Sequence, residues 1–211
     1  LTIRDADIKS GQLAKKIDLL ILPHDSTAMI MGEVRESSRR FANYPPEYRS
    51  GLGPEGLEKL KEFINRGGVL VCLGAAGNLA IEKFGLSLRN VVAEVDSREF
   101  FCPGSTLKAS FDNLNPLAYG LPEKGLVLFS ESPVFEILPG PGSEKYRVVV
   151  RYAEKELLQS GWLIGEQYLS KKAAMVEAAY GQGQVILIGL RAQHRAQTHG
   201  TFKLLFNTFI R

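Results

Sequence analysis

The run Arg191-Ala-Gln-His-Arg-Ala-Gln-Thr-His199 gathers two guanidinium groups, two imidazoles and amide side chains in one short polar segment. Groups of these types hold anions and carboxylates, and an imidazole can also take a proton from a nucleophile. A nucleophile of suitable type lies earlier, at Cys72-Leu-Gly74, where an apolar run gives way to a turn. With His194 as its base, Cys72 would make a thiol hydrolase. The competing reading makes Cys72 a small buried strand residue, because free cysteines are among the most buried side chains. Cys102, just before Pro103-Gly104, has no histidine close in sequence to activate it.

Metal chemistry has less to work with. A zinc hydrolase site takes three protein ligands and leaves a fourth position for water. The chain has three histidines, and none opens a His-x-x-Glu pair: Thr27 lies three after His24, Gln197 after His194 and Phe202 after His199. His194 and His199 are five apart, which puts them on different sides of a continuous helix. No metal site is expected within these residues.

Positioning these groups falls to elements that the apolar pattern outlines. Asp18-Leu-Leu-Ile-Leu-Pro23 reads as a parallel strand buried on both faces. Ser26 to Gly53 lacks periodicity and reads as a long surface loop. Leu57, Leu60, Phe63 and Ile64 have helical spacing after Pro54, and Gly67-Gly68 closes the helix. Val69 to Leu73 is a second strand, and Gly74-Ala-Ala-Gly77 turns into a helix over Asn78 to Phe84. Strands around Thr106 to Phe111, Gly125 to Phe129, Val134 to Leu138 and Arg147 to Tyr152 predict an antiparallel extension. Lys172 to Ala179 and Gln184 to Leu190 flank Tyr180-Gly-Gln-Gly183 as a hairpin, with Gly181 and Gly183 as turn glycines. The expected fold is α/β, a flavodoxin-like three-layer sandwich with a mostly parallel central sheet.

In such a sheet, ligands bind beyond the carboxyl ends of the strands. Arg191, Gln193, His194, Arg195 and His199 leave the last strand there, and Asp25 and Ser26 leave the first, so these residues form the candidate ligand-binding set. A helix beginning near Thr198 would add the positive end of its dipole. Alternatively these polar groups satisfy neighbouring backbone, with Thr198 as helix N-cap. Trp162 suits either a core anchor or a ligand platform.

Bulk properties narrow the partners. At 211 residues, 45% apolar and 23% charged, the chain fits one globular domain over 1–211. Its 26 basic and 23 acidic residues give a net charge of +3 without the dense stripe that nucleic acid would favour. No apolar stretch approaches the roughly 20 residues of a membrane span. Two cysteines leave one disulfide open. The chain opens on Leu1 and reads as the C-terminal piece of a longer protein.

Four segments carry a resemblance. Asp18-Leu-Leu-Ile-Leu-Pro23, Asn65-Arg-Gly-Gly-Val-Leu-Val71, Asn115-Pro-Leu-Ala-Tyr-Gly-Leu-Pro122 and Tyr180-Gly-Gln-Gly-Gln-Val-Ile-Leu-Ile-Gly189 resemble the class I glutamine amidotransferase-like fold. The similarity is greatest to its non-amidotransferase branch, seen in trehalose-utilisation-type proteins and in the middle domain of some bacterial β-galactosidases. More narrowly, Phe101-Cys-Pro-Gly-Ser105, Ser160-Gly-Trp-Leu-Ile-Gly-Glu166 and Arg191 to Asn207 resemble the C-terminal region of large bacterial zinc carboxypeptidases of the carboxypeptidase A type.

The resemblance implies a hydrolase parent active in proteolysis, periplasmic or secreted, with zinc in an upstream catalytic domain and no cofactor in this chain. The expected partners are that catalytic domain, a peptide, carboxylate or sugar ligand, and a second copy in a homo-oligomer. An amidotransferase would place its cysteine at the turn after a strand and deliver His and Glu later. Cys72-Leu-Gly74 resembles the cysteine segment, but Leu70-Val71 replaces its Gly-x and Arg191-Ala-Gln-His194 lacks the Glu. In the other alignment Gly74-Ala-Ala-Gly77 is the elbow, with alanine at the nucleophile. The resemblance therefore implies an accessory domain with a broken triad.

Overall fold

In the computed structural model, residues 1–33 and 50–210 are described. Their elements are α1 (Asp5–Lys9), β1 (Leu19–Leu22), α2 (Thr27–Met31), α3 (Gly53–Asn65), β2 (Val69–Leu73), α4 (Ala76–Phe84), β3 (Leu88–Asn90) and β4 (Ser105–Phe111). There follow β5 (Lys124–Phe129), β6 (Phe135–Ile137), β7 (Tyr146–Tyr152), β8 (Leu158–Ser160), β9 (Ala173–Tyr180), β10 (Gly183–Ile188) and α5 (Phe202–Phe206).

The sheet is mixed and runs β1-β2-β10-β9-β7-β4-β5. Its parallel end consists of β1, β2 and β10. From β9 onward neighbouring strands are antiparallel, so the extension is the larger part. A two-residue turn, Gly181-Gln182, reverses the chain between β9 and β10. Gly181 has φ +60°, and a Cβ there would lie 2.3 Å from Asn65 Oδ1, so both conformation and space call for glycine.

Period-2 alternation divides each central strand between two cores. Leu70 and Cys72 of β2, and Val185 and Leu187 of β10, face the layer of α1, α3 and α4, where Leu60, Ile64, Leu79 and Ala80 are buried. Val71, Ile186 and Ile188 face the other way, onto a core with Leu117 and Leu204. The helical spacing read from Leu57, Leu60, Phe63 and Ile64 is the buried face of α3.

Three sequence expectations change. The apolar run in β1 predicts a strand enclosed on both faces, yet among the described residues β1 ends the strand order, with Leu20 and Leu22 buried and Leu19 and Ile21 only partly so. Continuous apolarity there serves one buried face and one half-covered face. The loop expected from Ser26 to Gly53 contains α2: Ser26 Oγ accepts the Met29 N–H at 3.3 Å, and Gly32, left-handed at φ +74°, stops the helix. Residues 34–49 of that loop lie outside the described residues. Finally, no continuous helix begins at Thr198: a 3-10 turn (His199–Thr201) precedes the short α5, and another (Asn207–Phe209) follows it. The Thr198 hydroxyl accepts the His194 N–H and donates to the Ala192 carbonyl, binding the loop to itself instead of capping a helix.

Candidate functional site

Parallel pairing brings the ends of three strands to one edge, since Cys72 is in register with both Leu22 and Leu187. The residues that follow, His24 after β1, Gly74-Ala75 after β2 and Arg191 after β10, therefore meet at one rim. His24 Nδ1 accepts the backbone N–H of Ala75 at 3.0 Å. Gly74, at φ +53°, turns the chain from β2 toward α4, and a Cβ on it would lie only 2.1 Å from His24 Nδ1. Position 74 is thus closed to any side chain.

Arg191 is fixed from two directions. Its backbone N–H donates to the Leu128 carbonyl and its Nε to the Ser130 carbonyl, each near the end of β5. That leaves a terminal guanidinium nitrogen 3.4 Å from His24 Nε2. Because Nδ1 is an acceptor, the neutral ring carries its proton on Nε2, so this contact joins two donors and is not a hydrogen bond. Both groups lie 3.8 Å from the same carboxylate oxygen of Glu131. Burial, then the charge of Arg191, hold the His24 imidazole below its ordinary value, while Glu131 and Asp25 pull the other way.

Next to this cluster lies a cleft of about 430 Å³. Phe100, Phe101, Phe129 and Pro103 give it an apolar wall, and Ala75 and Glu131 link it to the rim.

The residues proposed from sequence separate. Arg191 is in the cluster, and Asp25 acts on His24 through its charge while its Oδ1 accepts the Ser26 N–H at 2.8 Å. Ser26 caps α2. His199 turns to the Ala196 carbonyl, stacks edge-on against Phe202 and lines a different groove, beside Leu126 and Leu128. Gln193 and Arg195 are exposed, and Arg195 sits in the loop with left-handed φ +48°. His194 is half-buried, its backbone tied to Thr198.

Cys72 is fully buried toward the helical layer, and burial pushes its thiol up to about 12. Such a thiol holds almost no thiolate near neutral pH. Cys102 is buried as well, and both cysteines are free thiols. His24 and Glu131 were not legible as site residues. His24 did carry a signal, its place directly after the strand-ending Pro23, whereas Glu131 sits between two serines with nothing to distinguish it.

Among solved structures the chain is similar to a cytoplasmic protein from Salmonella typhimurium, at 13% identity and a TM-score of 0.58, covering 98% of this chain and 78% of that one. It is also similar to a GMP synthase-type protein from Thermoplasma acidophilum, at 11% identity and a TM-score of 0.53, covering 97% and 76%. A β-galactosidase from Bacillus circulans matches at 14% identity and a TM-score of 0.51, over 92% of this chain but 22% of the enzyme. The chain shares its α/β fold with these proteins, which is consistent with a class I glutamine amidotransferase-like domain. No family model and no curated protein matches the sequence.

Two outcomes follow from the rim. Gly74→Ala should cost roughly 2–4 kcal/mol, from left-handed strain plus the collision with His24. Adding His24→Ala should restore part of it, as urea unfolding of the single and double variants would show. For pH, the unfolded chain takes up the His24 proton before the folded one does. Stability from this source is complete above about 6.5, the ordinary histidine value, and is lost as pH falls through the lower folded-state value. His24→Asn, which keeps an acceptor for Ala75, should remove that loss below about pH 6.5 in the same unfolding experiment.

Proposed function

We propose that the chain is a non-catalytic, amidotransferase-like accessory domain of a zinc metallocarboxypeptidase, and that it binds an anionic ligand at the His24–Arg191 rim. The observation that carries the non-catalytic reading is the elbow. The turn after the strand, Gly74-Ala-Ala-Gly77, carries no nucleophilic side chain: alanines stand where an amidotransferase-like enzyme would present one, and the His24 ring occupies the space a side chain on Gly74 would need. Cys72, the thiol nearest in sequence, points to the opposite, helical side of the turn's strand and is shut off from solvent. His194, its proposed base, is bound into a loop that Thr198 and the Ala192 carbonyl hold together.

The parent rests on sequence resemblance at Phe101 to Ser105, Ser160 to Glu166 and Arg191 to Asn207. The zinc, the peptidase chemistry and a periplasmic or secreted setting belong to that part of the reading. Within it, this domain would hold a ligand or dock against the catalytic unit. A second reading, a sugar-binding surface, has one observation in its favour. Trp162 and Phe101 are exposed with ring centroids 6.4 Å apart, and Phe101 also borders the cleft.

The native protein, treated with iodoacetamide at pH 7.5, should leave Cys72 unmodified over the time in which free cysteine reacts completely. Modification should appear only on adding denaturant, as peptide mass mapping would show. Rapid native alkylation of Cys72 would support the thiol hydrolase instead.

A further inference from the structure

We propose that the His24–Arg191 pair is a carboxylate receptor that Glu131 occupies incompletely from within, and that its ligand is a monocarboxylate whose apolar tail lies in the adjoining cleft. The proposal rests on reading the domain as a non-catalytic binder.

Two donors converge at this point, the Nε2–H of His24 and a terminal nitrogen of Arg191, 3.4 Å apart. Both are held in place from behind, His24 by the Ala75 N–H and Arg191 by the Ser130 carbonyl. Donors so close together repel unless an acceptor lies between or beyond them. A carboxylate suits them, since it offers two oxygens to two donors and its charge offsets that of the Arg191 guanidinium, whose side chain is only 18% exposed.

Glu131 supplies that charge poorly. Its oxygen stays 3.8 Å from each donor, beyond hydrogen-bonding range, and its side chain is 80% exposed. The backbone explains the shortfall. Glu131 is left-handed at φ +47°, in a turn that Ser132 ties by accepting the Ser130 N–H and donating to the Ser130 carbonyl. A strained, non-glycine residue pinned at this angle presents its carboxylate near the pair without closing on it.

A ligand that brings its own carboxylate would displace an exposed, loosely held competitor. It would also gain the cleft, because Glu131 and Ala75 border both. The wall of Phe100, Phe101, Phe129 and Pro103 selects an apolar tail, and about 430 Å³ accommodates a phenylpropanoate-sized molecule.

The test is calorimetric titration of the whole chain with 3-phenylpropanoate and, as the uncharged control, 3-phenylpropanamide. The acid should bind and the amide should not. Glu131→Ala, which removes the competitor without touching a buried group, should tighten the acid tenfold or more, and Arg191→Gln should weaken it tenfold or more. A circular-dichroism melt of each variant separates loss of binding from loss of fold. Equal binding of acid and amide, or no binding to wild type and Glu131→Ala alike, would overturn the proposal. Weaker binding by Glu131→Ala would do so too, by making Glu131 a ligand contact. None of these results touches the non-catalytic reading, which stands or falls on the alkylation of Cys72.

Discussion

The hydrogen bond from the Ala75 N–H to His24 Nδ1 organises everything at this edge of the sheet. It ties the end of β1 to the start of α4, and it decides which ring nitrogen faces Arg191. It also places an imidazole where the first side-chain atom of residue 74 would stand, so that position accommodates glycine alone. The ring that fills this space belongs to a residue that follows the neighbouring strand β1.

That bond can form because the sheet is parallel where it matters. β1, β2 and β10 run the same way and stay in register, so the residues that leave them arrive together. The antiparallel extension contributes from the side: β5 ends next to Arg191 and offers the Leu128 and Ser130 carbonyls, and the turn after it carries Glu131. The rim therefore draws on both halves of the mixed sheet. The cleft beside it has the same double parentage, with Ala75 from the parallel half and Phe129 from the extension.

The strands and α3 were legible from their apolar residues: the continuous apolar run Val185 to Leu190 for β10, buried on both faces, and helical spacing at Leu57, Leu60, Phe63 and Ile64 for α3. The hairpin was legible through Gly181, where glycine is obligatory. Arg191 could be found by its place after a strand. His24 shared that signal, its place after β1, but its role comes from a contact with a residue 51 positions away, and sequence spacing says nothing of that partner. The helix expected from Thr198 failed for a local reason, as the Thr198 and Thr201 hydroxyls both turn to the Ala192 carbonyl and draw the chain into a tight loop first. Among the polar residues of Arg191 to His199, periodicity offered no way to separate the one facing the rim from those satisfying their own loop.

The rim depends on His24 being a neutral acceptor to Ala75 with its proton on Nε2. Nitrogen-15 NMR of the imidazole, with His24 assigned by its loss in an Asn variant, reads this directly. At pH 7.5 the expected result is a pyridine-like Nδ1 and a protonated Nε2. A protonated Nδ1, or an imidazolium at that pH, would contradict it.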